Sequence, residues 1–505
     1  MDSFELSVYR EGAEAFLEEI DREYYRHLAG HKPELEIESI YERHRLLFAR
    51  EAVERIREAA QRAEALAGDR DDERRRLRHL LQFAFDGLVG QETKGEQAEL
   101  ARLEATLEVP QDGAPVPYRQ VPIEQANEPD PVRRAELERA RNGVLEERLN
   151  PLHVAALERA HALCGELGWE GYAGAYAELR GLDLERLAGQ VRRFAELTRD
   201  VYPEICDPEL ETHVGRRIGA LERSDLPRFF RAAALDPAFP PDRLVGSFRE
   251  TMAGLGIDLD GQANVHLDVE PRETKSPRAF CATPRVPDEV YLVVPPMGGR
   301  DDFAALFHEG GHTEHFAQTQ ASLPFEFRHL GDNSVTESFA FLFEHLTDDP
   351  AWLRARLGAA EPGPPVGHAR AVKLLMLRRY AAKLDYEMEL HGSRPDLGAM
   401  PERYVELLSR AVQVDWPRES WVSDVDPGLY VACYLRAWAL ETHWRRALRE
   451  RFGEEWFERA EAGAWLDALW RGGQRLDADE LLAETLGEEL DFEVLAEELL
   501  AEPAR

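Results

Sequence analysis

Along most of this chain, apolar residues recur every three or four positions among Glu and Arg, which predicts a mainly α-helical protein. Residues 1–108 read as helices: Phe16, Ile20 and Tyr24 fall four apart, and Leu77, Leu80, Leu81, Phe83, Phe85 and Leu88 form a denser stripe. From Leu35 to about Leu66 the pattern fits one long, charged, solvated helix. The pattern then breaks over 109–131, where Pro110, Pro115, Pro117, Pro122, Pro129 and Pro131 exclude a helix interior. Alternation around Val116 to Val121 allows a short extended or hairpin piece there.

Helices resume from Val132 to Asp200, with breaks expected at Asn150-Pro151 and across Gly168 to Gly171. A boundary near Tyr202-Pro203 divides an N-terminal helical region, 1–202, from a second region, 203–505. The second region holds three β-like pieces between 265 and 294: Val265–Val269, Arg278–Cys281 and Glu289–Val294. The last is the richest in β-formers. A small sheet of this kind either covers the core or offers an edge to an extended peptide, with Val290, Tyr291, Leu292 and Val293 as the binding strand. Gly298-Gly299 make a turn, and Asp301 or Asp302 is placed to cap the next helix. Leu476 to Arg505 reads as a very acidic helical pair, docked late and weakly.

Charge narrows the partners. Ninety-seven acidic residues against 62 basic ones give a net charge of −35, which repels nucleic-acid backbones and anionic membranes. Solubility explains such a surface more simply than a preference for cationic peptides. Cys164, Cys206, Cys281 and Cys433 form no C-x-x-C pair, as expected of free thiols in a reducing compartment. The first residues lack a secretory pattern, and no apolar run reaches the 18 or so residues of a membrane span, so cytoplasm is the expected location.

The candidate chemistry lies in Phe307-His308-Glu309-Gly310-Gly311-His312-Thr313-Glu314-His315. On a helix, His308 and His312 project from one face and can reach one zinc ion at roughly 2.0–2.1 Å. Glu309, rotated by about 100°, sits beside the metal and can act on a water. Two imidazoles need a third protein ligand. The apolar stretch Ser334 to His345 carries Glu337 and Glu344 two turns apart on one face, and buried carboxylates require a partner such as the metal and its ligands. Two plainer readings stand beside this one. Ser334-x-x-Glu337 also fits a capping box, and Glu344 also fits a surface charge.

These residues resemble the thimet oligopeptidase / oligoendopeptidase F family of zinc metallopeptidases. The family motif, His-Glu-x-Gly-His-x-x-His, matches His308, Glu309, Gly311, His312 and His315. Glu337 stands 25 residues after His312 and Glu344 seven further on, as in the family; the resemblance covers about residues 270–350. It implies one zinc ion per chain held by His308, His312 and Glu337, and Glu309 as general base and acid. It also implies supporting roles for Glu344 and His315, short peptides as substrates, and a two-lobed helical molecule with a deep cleft. The family's Pro-Ser after the ligand Glu is replaced by Phe339 and Ala340. Its oxyanion-donating tyrosines match Tyr430 best; Val425 then stands at the family's His position and Ala437 at its second Tyr. Tyr434 shares a helix face with Tyr430 and is a second candidate donor, with core packing as the plain alternative for both. Zinc carboxypeptidases of the Taq type share the two-His-plus-Glu logic but carry His-Glu-Ser-Gln-Ser at the third ligand, absent here. A helical scaffold with a structural or weakened zinc site is the reading from outside enzymology.

Overall fold

The computed structural model describes residues 3–65, 71–111 and 114–501 and is mainly helical, with little strand. The chain divides into two compact units. The first comprises Met1–Leu88, Leu235–Val366 and Arg436–Val494; the second comprises Val89–Ala234, Gly367–Leu435 and Leu495–Arg505. Among the described residues no helix is long and apolar enough to cross a membrane. The four cysteines form no disulfide.

In the first unit two helices, Arg300–Gln318 (the motif helix) and Asn333–Leu346 (the Glu337 helix), pack on each other. They meet at Gly311, where an added Cβ would stand 2.5 Å from the Phe339 carbonyl oxygen and 2.7 Å from Ala340 Cα. Glycine is what lets the two backbones come this close. Gly310 faces the other way, and its absent side chain makes room for the Phe248 ring. Aromatic packing surrounds the pair: Phe307 meets Phe248 and Trp352 edge-on, and Phe339 lies parallel to Trp444.

The motif helix begins after Gly299, and neither expected acidic cap is used. Asp236 accepts the Arg300 N–H (3.3 Å), while Asp302 accepts that of Met297 (3.2 Å). Asp301 and Asp302 occupy the first turn, where negative charge complements the helix dipole. The Glu337 helix departs from expectation in a similar way. Its N-cap is Asp332, which accepts the Ser334 N–H, so Ser334 lies inside the helix and Glu337 is past the capping-box position.

Two short strands, β1 (Glu108–Val109) and β2 (Val116–Pro117), pair antiparallel in the second unit, but the extended piece expected over Val116 to Val121 ends there: Tyr118–Gln120 is a 3-10 turn and Val121–Asn127 an α-helix that carries Pro122 in its first turn, where proline is tolerated. The sheet of the first unit has three: β3 (Val265–Asp268), β4 (Phe280–Arg285) and β5 (Glu289–Val293), in the order β3-β5-β4. The strand with the strongest β pattern is therefore central. Val290 to Val293 are paired parallel to β3 on one side and antiparallel to β4 on the other, so they have no free edge for a peptide. Their apolarity reflects burial on both faces. Tyr291 stacks on Tyr25 of the first helix, Ser3–Leu28, at 3.7 Å, whereas Leu292 shares its face with Cys281, which contacts Thr313 of the motif helix.

The helix expected over Leu35–Leu66 is interrupted. Ile37–Arg43, a 3-10 turn Arg45–Phe48 and Arg50–Ala65 replace it, and Leu66 lies outside the described residues. The interruption buries Phe48 among Phe16, Tyr41 and Phe83 and against Gly87, where an added Cβ would overlap its ring. In the second unit, one turn of π-helix, Leu145–Leu149, joins Pro131–Val144 to Asn150–Glu166, so Asn150-Pro151 marks a change of winding and not a loop. The stretch 168–171 does separate two helices. The C-terminal segment is not weakly docked: Leu481, Leu482, Leu490 and Phe492 are buried.

Candidate metal centre

The motif helix places His308 and His312 one turn apart, with ring centroids 5.0 Å from each other. Across the Gly311 contact, the Glu337 helix brings in its carboxylate. Glu337 Oε2 lies 3.5 Å from His308 Nε2 and 3.7 Å from His312 Nε2. One donor atom from each of the three residues lies within 4.8 Å of the others, and together they could hold a metal ion.

The outer nitrogen of each imidazole is already engaged. His308 Nδ1 is 2.8 Å from Glu344 Oε2, and His312 Nδ1 is 2.8 Å from Thr336 Oγ1. These contacts set the ring orientation and leave both Nε2 atoms directed towards Glu337. Sequence reasoning misses Thr336. Its neighbour Glu337 is the only local signal, because the contact arises from how closely two helices approach.

Charge at the cluster is uneven. Burial opposes protonation of His308, but Glu337 and Glu344 outweigh it and push its pKa up to about 10. Burial, reinforced by His308, pushes His312 down to about 3.

Glu309 is turned towards the sheet. Its Oε2 accepts the Cys281 backbone N–H at 2.8 Å, and burial raises its pKa. In an antiparallel pair, alternate residues direct their N–H and C=O groups away from the partner strand. Cys281 therefore presents its backbone groups at the outer edge of β4, beyond which no further strand pairs among the described residues. The candidate base and the strand edge are thus adjacent.

His315 belongs to the core. Three residues past His312 it is turned by roughly 60°. Fully buried, its ring lies against Phe316 and Phe339, at 5.3 and 5.0 Å, and burial pushes its pKa down to about 4.

Tyr430 and Tyr434 fall in the second unit. They open the helix Tyr430–Phe452 and touch edge-on at 4.9 Å, as their spacing suggests. The approach to that helix is tightly held. Arg379 grips both oxygens of Asp424 at 2.5 and 2.6 Å, and Lys383 meets Asp426 at 2.8 Å. Tyr172 Oη accepts the Gly428 N–H, and Arg180 donates to the Gly428 carbonyl, each at 2.9 Å. Gly428 and Leu429 are both left-handed, with φ of 63° and 55°, a strained conformation for leucine.

Compared with known proteins, the chain matches no family model and no curated protein sequence.

Proposed function

We propose that this protein is a zinc-dependent metallopeptidase that hydrolyses peptide bonds in short peptides. The observation that carries the reading is the convergence of His308, His312 and Glu337 beside a carboxylate, Glu309, that faces a strand edge. Two nitrogens and one carboxylate are the donor set of a catalytic zinc site, which keeps a fourth position open. Donors roughly 2.05 Å from such an ion stand about 3.3 Å apart. The separations of 3.5 and 3.7 Å to Glu337 need only small side-chain adjustment. A bound zinc ion would supply Lewis acidity towards a water and a substrate carbonyl.

The chain's own groups do the rest. An extended peptide laid along the outer edge of β4 exchanges backbone hydrogen bonds with it, which gives affinity independent of side chains and brings the scissile bond past Glu309. Glu309 takes a proton from the attacking water. It then returns that proton to the nitrogen of the leaving amine as the C–N bond breaks. Glu344 and Thr336 keep the imidazoles in the orientation that ligation needs. Oxyanion donation is the role that the family resemblance assigns to Tyr430, with Tyr434 as the alternative donor.

A quenched-peptide library, incubated with purified protein with and without chelator, tests the reading. Cleavage that chelator abolishes and zinc restores is expected, together with Glu309→Gln that keeps its zinc but cleaves nothing. Full cleavage by Glu309→Gln would sink the mechanism, and stoichiometric zinc without any cleavage would favour a scaffold with a structural site.

A further inference from the structure

The N-terminus of the Glu337 helix is held by residues distant in sequence. Asp332, its N-cap, uses Oδ1 to accept the Ser334 N–H at 2.9 Å. Its other oxygen, Oδ2, accepts from Arg436 Nη1 at 2.6 Å and from the Ala478 N–H at 3.0 Å. Ala478 opens the helix Ala478–Leu486, which Asp477 and Glu480 close with a capping box. Arg436 also reaches Ser334 Oγ at 3.1 Å and Asp479 Oδ2 at 2.7 Å. Just upstream, the Gln474 N–H bonds the Phe327 carbonyl, and the Gln474 side chain bonds that of Asp332.

Arg436 is 3% exposed and permanently charged, so it needs its carboxylates. Removing Arg436 leaves the buried Asp332 with only its two backbone N–H donors, and removing Asp332 leaves Arg436 only the half-exposed Asp479 as a close carboxylate. The first turn of the Glu337 helix therefore cannot shift without disturbing this network, and Glu337 stands only three residues beyond Ser334. We infer that Arg436, Asp332 and Asp479 are positioning residues for the metal ligand Glu337, and that residues 474–486 latch the metal centre. The inference rests on the metal reading given above.

The test is zinc affinity, measured by competition with a chromophoric chelator, in Arg436→Met, Asp479→Asn and Arg446→Met. Arg446 pairs with Glu488 near the surface and serves as the control. Loss of a group that orients a ligand costs about 10–100-fold in metal affinity, and that loss is expected for Arg436→Met. Asp479→Asn leaves the Arg436–Asp332 pair intact and should weaken zinc by about threefold or more; it carries the test if Arg436→Met does not fold. Arg436→Lys should recover part of the loss, and the visible bands of the cobalt-loaded protein should shift in Arg436→Met. A purely stabilising network predicts otherwise: melting of the metal-free protein would fall while the zinc Kd stayed within twofold of wild type, and that result overturns the inference. Wild-type protein that binds no zinc overturns the metal reading and this inference with it.

Discussion

Replacing Gly311 with alanine puts a methyl group 2.5 Å from the Phe339 carbonyl oxygen, 2.7 Å from Ala340 Cα and 2.9 Å from Ala340 N. All three are backbone atoms, so no side-chain rotation relieves the overlap. A relaxed carbon–oxygen contact is about 3.3 Å, so the helices must part by roughly 0.8 Å. Such overpacking costs about 1–3 kcal/mol, offset by about 1 kcal/mol because alanine favours the helix more than glycine. Global stability therefore falls by about 2 kcal/mol or less. Metal binding should suffer more. Ligand sites tolerate errors of about 0.2 Å, and parting the helices carries Glu337 away from both imidazoles. We expect zinc affinity to drop by about tenfold or more, read by chelator competition alongside thermal melts. Gly310→Ala is the matched control. Its methyl group meets the Phe248 ring, a side chain on the face away from the Glu337 helix. It should lose stability yet bind zinc within about twofold of wild type. Equal zinc affinity in Gly311→Ala and wild type, or equal losses in both variants, would refute the argument.

Other outcomes follow from the same contacts. Glu337→Ala should purify without stoichiometric zinc; retained metal in elemental analysis would remove it from the ligand set. Thr336→Val leaves the half-buried His312 Nδ1 without its hydroxyl partner, and zinc Kd should rise about tenfold while circular dichroism stays unchanged. Asp332 governs acid stability. Burial alone would raise its carboxyl, but Arg436 and the Ser334 and Ala478 N–H groups outweigh burial and hold it well below the usual carboxylate range. A depressed folded-state pKa gives stability that is present above the unfolded value of about 3.9 and is lost as pH falls below it, so Asp332→Asn should flatten the acid limb of a urea-midpoint profile. In the second unit, Gly189 sits inside the helix Leu184–Leu197 with open space around its Cα, and Gly189→Ala should raise stability by about 0.5–1 kcal/mol in denaturant titration.

What could be read from the sequence follows from range. His308 and His312, like Glu337 and Glu344, sit on one face through helical arithmetic, which needs only local information. The three strands also have local signals, although the second, expected over Arg278–Cys281, runs Phe280–Arg285. Their order has none: the most apolar strand is apolar because it lies between two others, and the edge beside Glu309 belongs to the plainer Phe280–Arg285. Asp332, Asn333 and Ser334 are all competent N-caps, and the choice among them was made by Arg436 and Ala478, over a hundred residues away. His315 matched a motif position yet turned into the core, because motif spacing does not say which helix packs on which side.

The two adjacent glycines between His308 and His312 also bear on the order of assembly. Each costs a helix about 1 kcal/mol relative to alanine, and an isolated helix of this length is already marginal. The stretch Arg300–Gln318 will therefore not hold its imidazoles one turn apart until Phe248 and the Ala340 backbone have closed around Gly310 and Gly311. In small zinc domains the ion drives the chain to fold. Here the candidate ligand set exists only after the core has formed, so on the proposed metal reading an ion would enter a chain that is already folded.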